Sequence, residues 1–319
     1  MPASAPSPTR REFLGQASSC ALHLGLMAAA SPWWLRRDWA RQSRFPVVAS
    51  EPWGRLEHVA EGVWALVSTP LQDRTTLCNG GIVAGRAGVV LVESFASANG
   101  ARWMAEQATR LTGRAPTHVI LTHYHSDHTA GLPAVGGGEV DVLMTAVTRD
   151  LTRDRNQGAP VELLADAVVL DGRRPWEVEL GDRSLIVVPR RGHTDSDITI
   201  ELPDARTVFC GDLVWNGMFP NYVDATPSRL SQETRVLLAS NAQTYVPGHG
   251  ALADAAALAA YLGLLDHVEE AARRALERGM TAEEAGAAYR LPTGLESWTL
   301  FSPGYFARAL GAWMSELGA

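Results

Sequence analysis

The sequence predicts an α/β fold in which two β-sheets pack face to face with helices outside, followed by a C-terminal helical extension. Three observations predict it. Short apolar runs separated by Gly-rich turns recur through two halves of the chain. Helical periodicity is confined to segments between or after those runs, and His and Asp residues gather where the runs end. At 319 residues and 46% hydrophobic composition, the chain carries enough apolar side chain for a substantial core.

Residues 1–30 read as an export signal of the twin-arginine type. Arg10 and Arg11 precede the apolar pair Phe13-Leu14, a weakly apolar stretch runs from Ala21 to Ala30, and Ala28-Ala29-Ala30 offers a small-residue cleavage site. That stretch is too short and too interrupted to make a membrane span, no stable span is expected after signal removal, and the twin-arginine signal predicts a periplasmic location. Residues 31–51 read as a linker, with Trp33, Trp34 and Trp39 interleaved with Arg36, Arg37, Arg41 and Arg44.

Residues 52–250 form the core domain. Its first strands are Val63–Val67, Gly81–Ala84 and Val89–Val92, an antiparallel meander bounded by turns such as Gly85-Arg86-Ala87-Gly88. Met104, Ala108 and Leu111 recur at helical spacing, with Gly113 where a C-terminal cap belongs, and Pro116 leads into a strand from His118 to Leu121. Strand, helix, strand is a βαβ unit, and ligands of such sheets gather beyond the carboxyl ends of the strands. The second half repeats the plan with strands at 141–144, 167–170, 184–189, 197–202, 207–210 and 244–246. Residues 251–319 turn to Ala- and Leu-rich helix: 251–277, then 281–289 with Thr281 as N-cap, then a last helix within 300–317 after Pro303.

Composition removes several classes of function. A formal charge of −7 with no basic run beyond the N-terminus argues against nucleic acid or an anionic membrane surface as the main partner, and a small-molecule substrate is expected. All 28 basic residues are arginine, which excludes Schiff-base lysines, pyridoxal phosphate enzymes and phosphate-loop lysines. Behind the signal only Cys78 and Cys210 remain; they could pair in an oxidising compartment, although their apolar surroundings suit small buried side chains. Composition does not reach the oligomeric state.

The chemistry concentrates at Thr122-His123-Tyr124-His125-Ser126-Asp127-His128, directly after Val119-Ile120-Leu121. A strand ending in His-x-His-x-Asp-His aims ligands to both sides of a loop, more than one metal ion can use. His193 in Arg191-Gly192-His193-Thr194, Asp212 in Cys210-Gly211-Asp212 and His249 in Pro247-Gly248-His249-Gly250 stand at later strand ends. Imidazole with carboxylate and no thiolate suits zinc, with iron or manganese admissible. The adjoining glycines let the backbone approach a crowded centre.

This order, His123-x-His125-x-Asp127-His128 followed by His193, Asp212 and His249, resembles the metallo-β-lactamase superfamily over about residues 55–250. The resemblance implies an αββα sandwich and two Zn2+ ions. His123, His125 and His193 would hold the first, Asp127, His128 and His249 the second, and Asp212 would bridge them. It also implies hydrolysis by a hydroxide between the metals, with Asp127 as catalytic proton acceptor. The bridging position is aspartate where the best-known zinc β-lactamases carry cysteine or serine, which places the sequence nearer the glyoxalase-II-like branch. A thioester or lactone is therefore expected before a β-lactam. A mononuclear iron sulfur dioxygenase and a non-catalytic metal-binding accessory protein are the other readings. Glu93 stands where the family usually has aspartate and is expected behind the ligands. Asn221 and Tyr222, after Asp212, are candidate substrate contacts, with Asn79 and Asp73 as weaker ones.

Overall fold

The computed structural model describes residues 43–69, 74–156 and 158–318. The export signal, most of the stretch read as linker and Asp73 lie outside these residues. Among the described residues no helix is long and apolar enough to cross a membrane.

Eight strands form the first sheet in sequence order: β1 (Val47–Glu51), β2 (Gly54–Ala60), β3 (Val63–Ser68), β4 (Gly80–Ala84), β5 (Val89–Val92), β6 (His118–Ile120), β7 (Asp141–Thr145) and β8 (Val168–Leu170). The first five are antiparallel neighbours. From β5 onward the pairing is parallel, because helices cross between strands: α1 (Ala98–Thr112), α2 (Ser126–Thr129), α3 (Ala146–Arg155) and α4 (Val161–Ala165). The second sheet runs β13 (Thr244–Gly250), β12 (Thr207–Asn216), β11 (Ile198–Leu202), β10 (Ser184–Pro189), β9 (Trp176–Glu179). Only β12 and β13 are parallel there, joined across α5 (Pro227–Leu238).

One apolar cluster fills the space between the sheets and joins Val63, Val67 and Val83 of the first to Leu185, Ile200 and Phe209 of the second. Another lies under α1, where Met104 and Ala108 pack on Leu91 and Val119. Gly113 caps α1 at φ 73, a left-handed conformation that costs glycine nothing. The extension is three helices, α6 (Ala255–Glu277), α7 (Ala282–Ala288) and α8 (Gly304–Leu317), packed on the outer face of the second sheet in a third cluster. Thr281 and Glu284 close a capping box at the start of α7.

The described structure differs from the sequence expectation at its beginning. Strand β1 falls inside the stretch read as linker and pairs with β2. The reason is a buried ion pair: Arg55 Nε lies 2.6 Å from Glu57 Oε1, while Glu57 Oε2 accepts the backbone N–H groups of Arg44 and Phe45 at 3.1 Å. A carboxylate with these partners is satisfied inside the fold, so the alternation of charged and apolar residues in β2 does not mark a solvent face. Cys78 and Cys210 are both free thiols, each fully buried.

Candidate metal centre

The loop after β6 turns sharply at Thr122 and delivers His123, His125 and then, on the single turn of α2, Asp127 and His128. His193 comes from the loop between β10 and β11, Asp212 from β12 and His249 from β13. These strands can converge only where glycine stands. A Cβ on Gly192 would lie 2.7 Å from Leu230 Cα, and Gly211 takes φ 51 against Thr122. The His193 loop is fixed by buried Asp197, which accepts from His193 N at 2.8 Å, Thr194 N at 2.9 Å and Thr194 Oγ1 at 2.6 Å. Burial pushes the Asp197 carboxyl up to about 7, with these donors opposing it.

The seven residues meet as two groups. His123, His125, His193 and Asp212 offer ligand atoms within 4.8 Å of one another, and so do Asp127, His128 and His249. In the first, His125 Nδ1 lies 3.1 Å from His123 Nε2 and 3.0 Å from His193 Nε2. Asp212 stands between the groups: Oδ2 is 3.2 Å from His193 Nε2, and Oδ1 is 3.2 Å from His128 Nε2 and 3.4 Å from His249 Nε2. Asp127 Oδ2 is 3.3 Å from His249 Nε2.

The arrangement fits metal ions by its own chemistry. Three imidazole nitrogens converge at spacings close to those around a tetrahedral ion with bonds of about 2 Å. His128 Nε2 and Asp212 Oδ1 are buried and approach each other without the alignment of a hydrogen bond, leaving both unsatisfied. Burial, then His128, holds the His123 imidazole well below its ordinary value, and burial takes His193 down to about 4, so both are neutral donors. The second group has the opposite balance. Burial would lower His249, but Asp212 and Asp127 outweigh it and push it up to about 9, an excess of negative charge that a cation would neutralise. A third grouping of Glu93 with His123 and His128 is close in space. Its carboxylate is already engaged, with Thr122 Oγ1 and, at 3.0 Å, with His128 Nδ1 on the side away from Asp212.

Two carboxylates thus stand behind the ligands. Glu93, expected from sequence, holds a left-handed φ of 74, an unfavourable conformation for a residue with a side chain. Asp224, which the sequence did not single out, accepts from His125 Nε2 at 3.0 Å. It is gripped in turn by the Tyr124 hydroxyl and by Arg155 Nη1 at 3.0 Å. Such a carboxylate fixes the ring and its tautomer, so Nδ1 is left for the centre. Asp224→Asn is expected to weaken zinc binding about 10- to 100-fold, measured by competition with a chelating dye. Burial raises the Asp224 carboxyl, but His125, Tyr124 and Arg155 outweigh it and hold it well below the ordinary carboxylate range. The folded protein is then the more acidic form at this site. Its contribution is fully present above about pH 4 and is lost as pH falls below that. Acid unfolding curves of the metal-free protein should therefore be flatter below about pH 4 in Asp224→Asn than in wild type.

The proposed substrate contacts are placed elsewhere. Tyr222 is buried, packs by Phe219 and belongs to the helical core cluster, so it is no wall of the site. Asn221 is also buried; its Oδ1 accepts from Arg308 Nη1 of α8 at 2.8 Å. Both residues brace the loop that carries Asp224. Asn79 is a structural clamp: Oδ1 accepts Ser68 N at 2.8 Å, and Nδ2 donates to Pro247 O at 2.9 Å and Gly250 O at 2.8 Å, on either side of His249. The ring of His249 is backed by Trp215 at a centroid distance of 4.1 Å and by Phe301 at 6.2 Å.

Comparison with known proteins places this geometry in context. Residues 74–249 match the family model described as the Metallo-beta-lactamase superfamily. The chain is 26% identical over 193 residues to a metallo-beta-lactamase type 2 of Bacillus sp. (strain 170), covering 59% of this chain and 72% of that one. It is 28% identical over 151 residues to a hydroxyacylglutathione hydrolase of Cereibacter sphaeroides, covering 46% of this chain and 51% of the other. Among solved structures, the inverting sec-alkylsulfatase Pisa1 of a Pseudomonas species superposes with a TM-score of 0.67 at 16% identity. That match covers 80% of this chain and 49% of the sulfatase, so it speaks for the fold alone. The chain spans about half the length of the last two proteins.

Proposed function

The chain belongs to the metallo-beta-lactamase superfamily of metal-dependent hydrolases, whose model matches more than half of its residues, and on that premise we propose a periplasmic dinuclear zinc hydrolase of a small ester-like bond. The observation that carries this reading is Asp212, with one oxygen toward each group of ligands. His123, His125 and His193 would hold one ion, Asp127, His128 and His249 the other, with Asp212 shared. Bound ions supply Lewis acidity and activate water at neutral pH.

The chain's own residues set up the rest. Asp127 is the most exposed carboxylate among the ligands, at 22% of its side chain. Burial would raise it, yet His128 and His249 bring it down to about 2, so it is ionised at neutral pH and able to orient the attacking water by accepting its hydrogen bond. Asp224 keeps His125 in one tautomer, and the Glu93 carboxylate stands 3.0 Å from His128 Nδ1 as a neighbouring charge. Aspartate at position 212, where the best-known zinc β-lactamases carry a thiol or hydroxyl, favours a thioester or lactone over a β-lactam. The export assignment rests on Arg10-Arg11 and the apolar stretch that follows.

The test is a panel of ester, thioester, lactone and β-lactam substrates on protein of measured metal content. About two equivalents of zinc with turnover of a thioester or lactone is the expected result. Iron near one equivalent with oxygen uptake on a persulfide, or full zinc occupancy without turnover on any substrate, would overturn the proposal.

A further inference from the structure

The C-terminal extension contains a cavity that the metal centre does not use. Helices α6, α7 and α8 border a solvent-open cleft of about 290 Å3, near the lower limit for small-molecule pockets. Its floor is apolar, with Ala275, Ala285 and Leu310 buried there. Its walls carry Arg274, Arg278 and Arg290, and no Asp or Glu is among the lining residues. In a chain of formal charge −7, that is a local reversal of sign.

The guanidinium groups are lightly committed. Arg278 makes no salt bridge or side-chain hydrogen bond among the described residues. Arg274 touches Glu270 at 3.4 Å, an exposed pair one helical turn apart that a ligand can exchange. Arg290 engages Nη1 with the carbonyls of Ala287 and Tyr289. His267 and Tyr289, the remaining polar groups of the wall, bond to each other at 2.9 Å and ask for no charged partner. Complementing the C-terminal dipole of α6 would account for Arg274 and Arg278, but not for Arg290 across the cavity.

The geometry points to a binding site for a small amphipathic anion. A carboxylate or phosphate monoester head would be held by Arg274 and Arg278, and an apolar body on the order of six carbons would lie on Ala275, Ala285 and Leu310. Guanidinium forks match two anionic oxygens at once, which selects such a head over a neutral alcohol.

The experiment is calorimetric titration of the zinc-loaded full chain with hexanoate, hexyl phosphate, hexan-1-ol and inorganic phosphate. Hexanoate or hexyl phosphate should bind at one saturable site, at least about tenfold more tightly than hexan-1-ol or inorganic phosphate. The Arg274→Gln/Arg278→Gln variant, altered only at exposed positions, should lose at least about tenfold in that affinity while its hydrolytic rate is unchanged. Asp212→Asn should bind the anion as wild type does, which separates this site from the metal centre. Equal binding of hexan-1-ol, equal binding of inorganic phosphate, wild-type affinity in the double variant, loss of binding in Asp212→Asn, or no binding by either organic anion would each overturn the proposal.

Discussion

Asp212→Asn is expected to reduce bound zinc from about two equivalents to at most one, and to lower kcat/KM by about a thousandfold or more. The substitution keeps the shape of the side chain and removes its charge. Four imidazole nitrogens surround the carboxylate, those of His128 and His193 at 3.2 Å, His249 at 3.4 Å and His123 at 4.0 Å. Burial would raise the Asp212 carboxyl, but the imidazoles, His249 foremost, outweigh it and hold it well below the ordinary range. An amide in its place carries no charge and offers one acceptor oxygen instead of two, so it can serve only one of the two groups. Metal analysis of the purified variant beside its rate on the best substrate gives the answer. Two retained equivalents with an undiminished rate would remove Asp212 from the shared position.

Gly248→Ala should be nearly as damaging although it adds one methyl group and touches no ligand atom chemically. A Cβ there would fall 1.9 Å from Asp212 Oδ1, 2.8 Å from Gly211 C and 2.9 Å from Asp212 N. Either the carboxylate swings away or β13 separates from β12, and both routes spoil the centre. Overpacking of this kind costs about 1–3 kcal/mol or more. Gly263→Ala is the matched control, since nothing lies within 4 Å of a Cβ at that position in α6. Removing a mid-helix glycine there should stabilise the protein by about 1 kcal/mol. Thermal unfolding and zinc content of the two variants should therefore move in opposite directions for the first measurement, and only Gly248→Ala should lose metal.

Much of this was legible in the sequence, for reasons that also mark its limit. Strand ends that carry His or Asp beside Gly announce a crowded polar centre, because both the ligand and the close approach leave a trace in residue type. Gly113 and Thr281 declare helix ends for the same reason: each position has a local chemical requirement. Asp224 left no such trace. It lies 100 residues from Tyr124 and 69 from Arg155, and its direction depends on a loop held by Arg308 and by a bridge between Met218 and Thr299. Tyr222, adjacent to Asn221, resembles a substrate contact in sequence because aromatic and amide residues serve binding and bracing alike. Glu57 hid β2 as a buried strand, since a carboxylate is read as solvent-facing until its partners Arg55, Arg44 and Phe45 are seen.

The aromatic backing of His249 has a further consequence, for the order in which the molecule is assembled. Trp215 precedes that ligand in the chain, but Phe301 follows it by some fifty residues and lies beyond the stretch matched by the family model. A growing chain that has just completed β13 has every ligand in hand, yet one side of its last imidazole is still bare. If His249 holds an ion as proposed, its capture would be coupled to arrival of the C-terminus, and a protein cut short after Gly250 should take up zinc only weakly at the group that contains it.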